Sequence, residues 1–158
     1  LSAELFKSMA GVNIVRVPYK GNAPAINDLV AGQVQVMFST AATAAPHLSS
    51  GRLRALAVTS AEPSALAPGL PTVASSGLPG YESISIYGLF APSKTPAAIV
   101  RLINQESAQY LRTADVKERF FKMGVETVGS TPEEFAAAIR TDIARLSKVI
   151  RDAGIRED

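Results

Sequence analysis

Residues 15–60 read VRVPYKGNAPAINDLVAGQVQVMFSTAATAAPHLSSGRLRALAVTS and decide the fold. They contain two similar units, each an apolar run, a polar turn, a short helical pattern and a glycine, followed by a third apolar run. Gly32 and Gly51 end the two helical patterns, where the left-handed conformation is easily adopted by glycine. Strand–helix–strand units this compact predict parallel strands with right-handed crossovers. The stretch therefore predicts an α/β fold with a mainly parallel sheet flanked by helices.

The first polar turn, residues 19–22, reads YKGN and is called the 19–22 loop. It follows the carboxyl end of a predicted strand, where open α/β sheets bind ligands. The free N–H groups of the following helix suit an anion, Gly21 lets a ligand approach the backbone, and Lys20 adds positive charge. Together with Tyr19 and Asn22 these residues are predicted to bind a ligand. A purely structural explanation stays open, in which Gly21 turns the chain and Asn22 caps the helix.

The second turn, residues 39–43, reads STAAT and is called the 39–43 loop. It repeats the arrangement with hydroxyl groups and small side chains, so Ser39, Thr40 and Ala41 are also predicted to contact a ligand. The alternative is that Ser39 or Thr40 only caps the next helix. Two such loops at one sheet edge favour a small carboxylate or phosphate. Backbone amides and hydroxyl groups bind such a group but supply little catalysis.

The remaining elements follow from hydrophobic spacing and from capping signals. Asp115 with Glu118 and Thr131 with Glu134 have the spacing of capping boxes at two helix starts. The Pro- and Gly-rich residues 60–80 predict a surface excursion. Helices are predicted at residues 1–10, 22–30, 40–48, 95–111, 115–123 and 131–153, and strands at residues 12–17, 33–38, 53–59, 81–92 and 125–128.

Composition excludes several classes of function. The net charge of the 158-residue chain is +2 and its basic residues are scattered, which argues against nucleic acid. The absence of Cys and the presence of a single His, His47, exclude thiolate and multi-histidine metal sites, so no metal or cofactor is predicted. His47 has no orienting carboxylate in these loops with which to activate Ser39 or Ser49. Asp28 is expected on the solvated side of its helix. We therefore predict a protein that is not an enzyme.

Five blocks of sequence lie in order along the chain and cover nearly all of it. They are VPYKGNAPAINDLVAGQVQVMF (17–38), PHLSSGRLRALAVTS (46–60), LPTVASSGLPGYE (70–82), YGLFAPSKTPAAIVRLINQE (87–106) and GVETVGSTPEEFAAAI (124–139). Together they closely resemble the substrate-binding receptors of tripartite tricarboxylate transporters, the Bug or TctC type. The resemblance implies two periplasmic-binding-protein-like α/β lobes that close on a small organic acid in the periplasm and deliver it to membrane permease subunits.

The resemblance also implies a division of the chain, because family members are roughly twice as long. Residues 1–85 would be the second lobe, incomplete at its N-terminus, and residues 86–158 a crossing strand with C-terminal helices that pack on a missing first lobe. The signal peptide would lie outside this chain. Tyr87 sits where the family often has an aromatic residue near the cleft, and the 19–22 and 39–43 loops would form one wall of that cleft.

The exposed C-terminal helices suggest self-association of the truncated chain as a further expectation. Two alternatives to a transport receptor stay open. One is an α/β enzyme domain acting on a small carboxylate, which would need an acid–base pair that the sequence does not show. The other is a ligand-sensing domain that kept the lobe and lost transport.

Overall fold

The computed structural model describes residues 1–155, and its regular elements are six helices. It divides into two compact units, the first made of Leu1–Ile84 with Val149–Asp158 and the second of Ser85–Lys148. Residues 156–158, the end of the predicted 86–158 segment, lie outside the described residues. All six predicted helices are present, with bounds within about two residues of the predicted ones. They are α1 (Ser2–Ala10), α2 (Asn22–Val30), α3 (Ala41–Ser49), α4 (Ala97–Arg112), α5 (Ala114–Lys122) and α6 (Pro132–Asp152).

The predicted parallel sheet is not formed among residues 1–155. The one β-type pairing there is an isolated parallel bridge, in which Val58 N–H donates to Pro71 at 2.9 Å and Val73 N–H donates to Val58 at 3.0 Å. Ser83 N–H adds one bond to Thr59 at 2.8 Å. Apolar alternation predicts which residues favour a strand, but a strand forms only where a neighbour lies within hydrogen-bonding distance. Within residues 1–155, the predicted strands make backbone hydrogen bonds to segments more than ten residues away only at residues 58–59 and 83.

The apolar side chains of the predicted strands show the same lack of neighbours. Val15 is 82% exposed, and Val17 and Val36 are each about half exposed. Parallel sheets occur almost only where helices cover both of their faces. The segments at residues 12–17 and 33–38 therefore have strand-like sequences without the covering layers that a parallel sheet requires.

Tyr81 is the centre of the first unit. Its side chain is 1% exposed, and its ring lies edge-on to Phe6 of α1 at a centroid distance of 6.0 Å. Phe6 also contacts Phe38 at 5.8 Å. The Tyr81 hydroxyl donates to the carbonyl of Ser2 at 3.1 Å, and the Ser2 and Ser83 hydroxyl groups lie 2.7 Å apart. These contacts hold the segment after the 60–80 excursion against the start of α1.

Helices α2 and α3 contact each other in the first unit. Each is followed by a glycine in the left-handed region, Gly32 with φ 76° and Gly51 with φ 70°, as the repeat predicts. On α2, Ala25 and Ile26 are buried while Ala23 is exposed, so the helix buries the face that carries residues 25 and 26.

The second unit contains α4, α5 and most of α6. Ala108 of α4 is buried where Gly129 approaches it, and Asn104 donates to the Ser130 carbonyl at 2.8 Å. Phe135 of α6 packs on Gly88 so closely that any Cβ there would lie 2.1 Å from its ring. Position 88 therefore requires glycine because the Phe135 ring occupies the space of a side chain, and not because of a turn.

One of the two predicted capping boxes is confirmed and the other is wrong. Glu134 N–H donates to the Thr131 hydroxyl at 3.2 Å, and Thr131 N–H donates to the Glu134 carboxylate at 2.9 Å. In α5 the first residue is Ala114, so Asp115 lies inside the helix and pairs with Arg119 at 3.1 Å. Helix α4 begins at Ala97, two residues after its predicted start, and Pro96 is its N-cap.

Truncating Tyr81 tests its central role in the first unit. Tyr81→Ala is expected to lower the free energy of unfolding by about 3–5 kcal/mol, because it leaves a cavity beside Phe6. Tyr81→Phe keeps the ring and should lower it by about 1 kcal/mol through the lost hydrogen bond. Chemical denaturation measures both. Tyr110→Ala, at a ring that is 59% exposed, is the control and should have little effect. Equal losses for the Tyr81→Ala and Tyr110→Ala variants would contradict the assignment.

The capping box at α6 predicts an acid-sensitive contribution to stability. The Thr131 N–H bond to the Glu134 carboxylate lowers the pKa of Glu134 below its ordinary value near 4.5. The contribution is therefore complete above that ordinary value and is lost as the pH falls through the lower pKa of the folded state. Glu134→Gln should remove this part of the pH dependence in denaturation at several pH values. Glu133→Gln changes the neighbouring charge and should retain it.

Candidate functional site

The 19–22 loop leads directly into the N-terminus of α2. Gly21 occupies the N-cap position with φ 117° and ψ 176°, a conformation that L side chains rarely adopt. No side chain caps the helix and its first turn contains no acidic residue. The helix therefore presents free N–H groups and an uncompensated positive end, beside the exposed Lys20. The alternative in which Asn22 caps the helix is wrong, since Asn22 is the first helical residue.

Tyr19 is held by a contact that the sequence does not predict. Its hydroxyl donates to the Asp28 carboxylate of α2 at 2.7 Å, and both side chains are half-buried. This hydrogen bond, with smaller contributions from burial and from the negative charge of Asp28, raises the pKa of Tyr19. The expectation that Asp28 is simply solvated is therefore wrong. Tyr19 lies in a loop, so helical spacing gives no signal for this pair.

The 39–43 loop leads into the N-terminus of α3. Thr40 is the N-cap, and its hydroxyl accepts from Thr43 N–H at 3.4 Å and lies 2.8 Å from the Thr43 hydroxyl. The capping explanation for Thr40 is thus confirmed. Ser39 is exposed and donates to the Thr40 carbonyl at 3.2 Å. The first turn of α3 contains no acidic residue, so its positive end is also uncompensated.

The remaining candidate residues are outside these two loops in the sequence. Tyr87 belongs to the second unit and is 76% exposed. His47 lies in α3, where its Nδ1 is buried without a hydrogen-bond partner, so this nitrogen accepts no proton from Ser39 or Ser49. Within residues 1–155 no cluster of three or more His, Asp or Glu side chains could hold a metal ion, and no helix has the length and apolarity to cross a membrane.

Comparison with known proteins places this arrangement in a family. The model of the tripartite tricarboxylate transporter family receptor matches residues 1–155. The chain belongs to this receptor family. A UPF0065 protein from the tcbD-tcbE intergenic region of a Pseudomonas species is 36% identical over 95% of the chain and 45% of its own length. BugT of Bordetella pertussis is 33% identical over 99% of the chain and 48% of its own length. The chain thus spans about half of these two curated receptor-family relatives.

One relative is close to this chain in length. The UPF0065 protein from the clcB-clcD intergenic region of Pseudomonas knackmussii is 34% identical over 95% of the chain and 89% of its own length. This chain therefore matches about half of some family members and nearly all of another.

Solved structures similar to the chain are binding proteins with an α/β fold. An R. palustris protein solved with adipate is 39% identical, with a TM-score of 0.80 over 98% of the chain and 52% of its own. The periplasmic binding protein BugD is 30% identical, with a TM-score of 0.75 over 99% of this chain and 53% of BugD. MatC from Rhodopseudomonas palustris, with bound malate, is 31% identical, with a TM-score of 0.72 over 94% of this chain and 52% of MatC. The receptor family and these neighbours are binding proteins and not enzymes.

The hydrogen bond between Tyr19 and Asp28 gives a testable titration. Asp28→Asn removes the negative charge and should lower the pKa of Tyr19 toward the ordinary value of 10.0. Because the folded-state pKa is raised, the bond stabilises the fold below pH about 10 and the stabilisation is lost as the pH rises through the folded pKa. Spectroscopic titration of tyrosinate measures the shift, and subtracting the Tyr19→Phe titration assigns it. An unchanged Tyr19 titration in Asp28→Asn would contradict the contact.

Proposed function

We propose that this sequence forms one wall of the ligand site in an extracytoplasmic solute-binding receptor. The ligand is a small organic acid, which the receptor delivers to the membrane permease subunits of a tripartite tricarboxylate-type transporter. The observation that carries the proposal is the N-terminus of α2, which has free N–H groups, no side-chain cap and no acidic first turn, beside exposed Lys20. Such a helix end attracts a carboxylate through both hydrogen bonds and charge.

The contacts with the ligand are assigned to both loops. Gly21 and Asn22 present backbone N–H groups, Lys20 adds positive charge, and Tyr19 sits at the same helix start. Ser39, Thr40 and Ala41 supply the equivalent groups at α3, which contacts α2. Tyr87 is proposed as an aromatic residue of the cleft. Family neighbours solved with adipate and malate support an organic acid as the ligand class.

The rest of the receptor follows from the same proposal. In a full-length receptor, the strand-like segments of this chain form a mainly parallel sheet. Residues 1–85 belong to the second lobe, and residues 86–158 form the crossing strand and the helices that pack on the first lobe. Delivery to permease subunits places the receptor in the periplasm, and periplasmic binding proteins among the structural neighbours support this location. Ligand release to the permease requires no catalytic group.

Titration with malate and with adipate tests the wall directly. In isotope-labelled chain of 158 residues, added acid should shift the amide resonances of Gly21, Asn22 and Ala41 before any others, because their N–H groups would contact the carboxylate. Gly21→Val should raise the dissociation constant at least about tenfold, since a branched side chain cannot keep a φ of 117° at this N-cap.

Gly77→Val is the matched control for this titration. Gly77 has φ 113° and equally open surroundings, but it lies in the 60–80 excursion. Its substitution introduces similar backbone strain and should leave the affinity for both acids unchanged. Equal weakening by the two valine substitutions, or saturable binding whose shifts avoid both loops, would reject the assigned wall.

A further inference from the structure

Asp28 occupies an unfavourable position in α2. The helix ends at Val30, so Asp28 lies in its last turn, where the partial negative charge of the helix end disfavours a carboxylate. No basic residue in that turn offsets this charge. Asp is also among the weaker helix-forming residues. The stability of α2 itself therefore gives no reason for a carboxylate at this position.

The hydrogen bond from Tyr19 does give a reason. The Tyr19 hydroxyl donates to the Asp28 carboxylate at 2.7 Å. Asp28 lies six residues, or about 9 Å of helix rise, beyond the first helical residue Asn22. The bond therefore ties the 19–22 loop, which leads into the helix, to the last turn of the same helix. A hydrogen bond to an ionised group is also about twice as strong as one between neutral groups.

The 19–22 loop has few other restraints. Gly21 has φ 117°, and a Cβ added there would meet nothing within 4 Å, so no neighbouring atom packs against the turn. Glycine has access to many other backbone conformations. Within residues 1–155, no backbone hydrogen bond joins the loop to a segment outside α2. In the same described part of the chain, the bond from Tyr19 to Asp28 is the one side-chain hydrogen bond of the loop.

We propose that Asp28 is a positioning residue of the ligand site, an inference that rests on the proposed function. Asp28 holds Tyr19 and thereby keeps the N–H groups of Gly21 and Asn22 in the arrangement that binds the acid. A loop that is ordered before the ligand arrives loses less conformational entropy on binding. This role is exerted through Tyr19 and needs no contact between Asp28 and the acid.

Charge and positioning make opposite predictions for Asp28. A carboxylate beside the site repels an anionic ligand, so charge alone predicts tighter binding once the carboxylate is removed. Loss of a restraint on the loop predicts weaker binding instead. Asparagine keeps an acceptor oxygen for the Tyr19 hydroxyl without the charge, whereas alanine keeps neither. The two substitutions at position 28 therefore separate the two effects.

Calorimetric titration with adipate measures the affinities, because adipate has no hydroxyl or ammonium group that could donate directly to the pair. Asp28→Ala should raise the dissociation constant about fivefold, which corresponds to the loss of one typical hydrogen bond. Asp28→Asn should bind at least as tightly as the native chain. Tyr19→Phe should weaken binding as Asp28→Ala does. The double variant should bind no more weakly than either single variant, because both remove the same bond.

A second measurement needs no ligand. Backbone order parameters from ¹⁵N relaxation at Gly21 and Asn22 should fall in Asp28→Ala and in Tyr19→Phe and should stay at the native values in Asp28→Asn. Tyr81→Phe is the matched control, because it removes another phenol hydrogen bond of the first unit, the 3.1 Å bond to the Ser2 carbonyl, and keeps the ring. It should leave both the adipate affinity and the loop order parameters unchanged.

The outcomes separate this inference from the proposed function. A native chain that binds neither adipate nor malate would reject the proposed function and the inference together. Native binding that Asp28→Ala leaves unchanged or strengthens would reject the inference alone. Equal weakening by Tyr81→Phe, or order parameters at Gly21 and Asn22 that Asp28→Ala does not lower, would also reject the inference, because the loop would then not depend on this bond.

Discussion

The buried Tyr81 ring is the contact on which the first unit depends. It joins residues 79 positions apart, because its hydroxyl reaches the Ser2 carbonyl and its ring packs on Phe6 of α1. Closing so long a loop is entropically unfavourable, so the contacts at its ends must compensate for the ordering of the chain between them. The segments enclosed by this loop include both proposed ligand loops. Their positions are therefore secured by packing some distance from any ligand.

Away from that contact, the described part of the chain buries few apolar side chains. The fully buried apolar side chains among residues 1–155 are few, while Val15, Leu89 and Val128 are each more than 70% exposed. Apolar burial is the main favourable term in folding. Among residues 1–155 the helices are formed, because their hydrogen bonds are local, whereas the predicted sheet is not, because its hydrogen bonds need neighbouring strands. Helices and the sheet differ here because of how far along the chain their hydrogen bonds must reach, and not because of how strong those bonds are.

The sequence predicted the local features well and the non-local ones poorly. The helix ends at Gly32 and Gly51 and the capping box of Thr131 with Glu134 depend on residues within a few positions of one another, and all are confirmed. The parallel sheet depends on partners outside each segment and is not formed in the described residues. The loops leading into α2 and α3 were predicted from the repeat. The bond from Tyr19 to Asp28 was not, because no periodicity links a loop phenol to a helical carboxylate.

That bond has a consequence for selectivity. A phenol has a single proton, and Tyr19 directs it to Asp28. What remains available on the phenol oxygen is lone-pair density, next to a negatively charged carboxylate. At the ligand site proposed above, this pair would offer acceptors only, so it would repel a ligand carboxylate and accept a hydrogen bond from a ligand hydroxyl or ammonium group. The pair would thus distinguish hydroxylated or amino acids from plain acids of the same length by the direction of one proton.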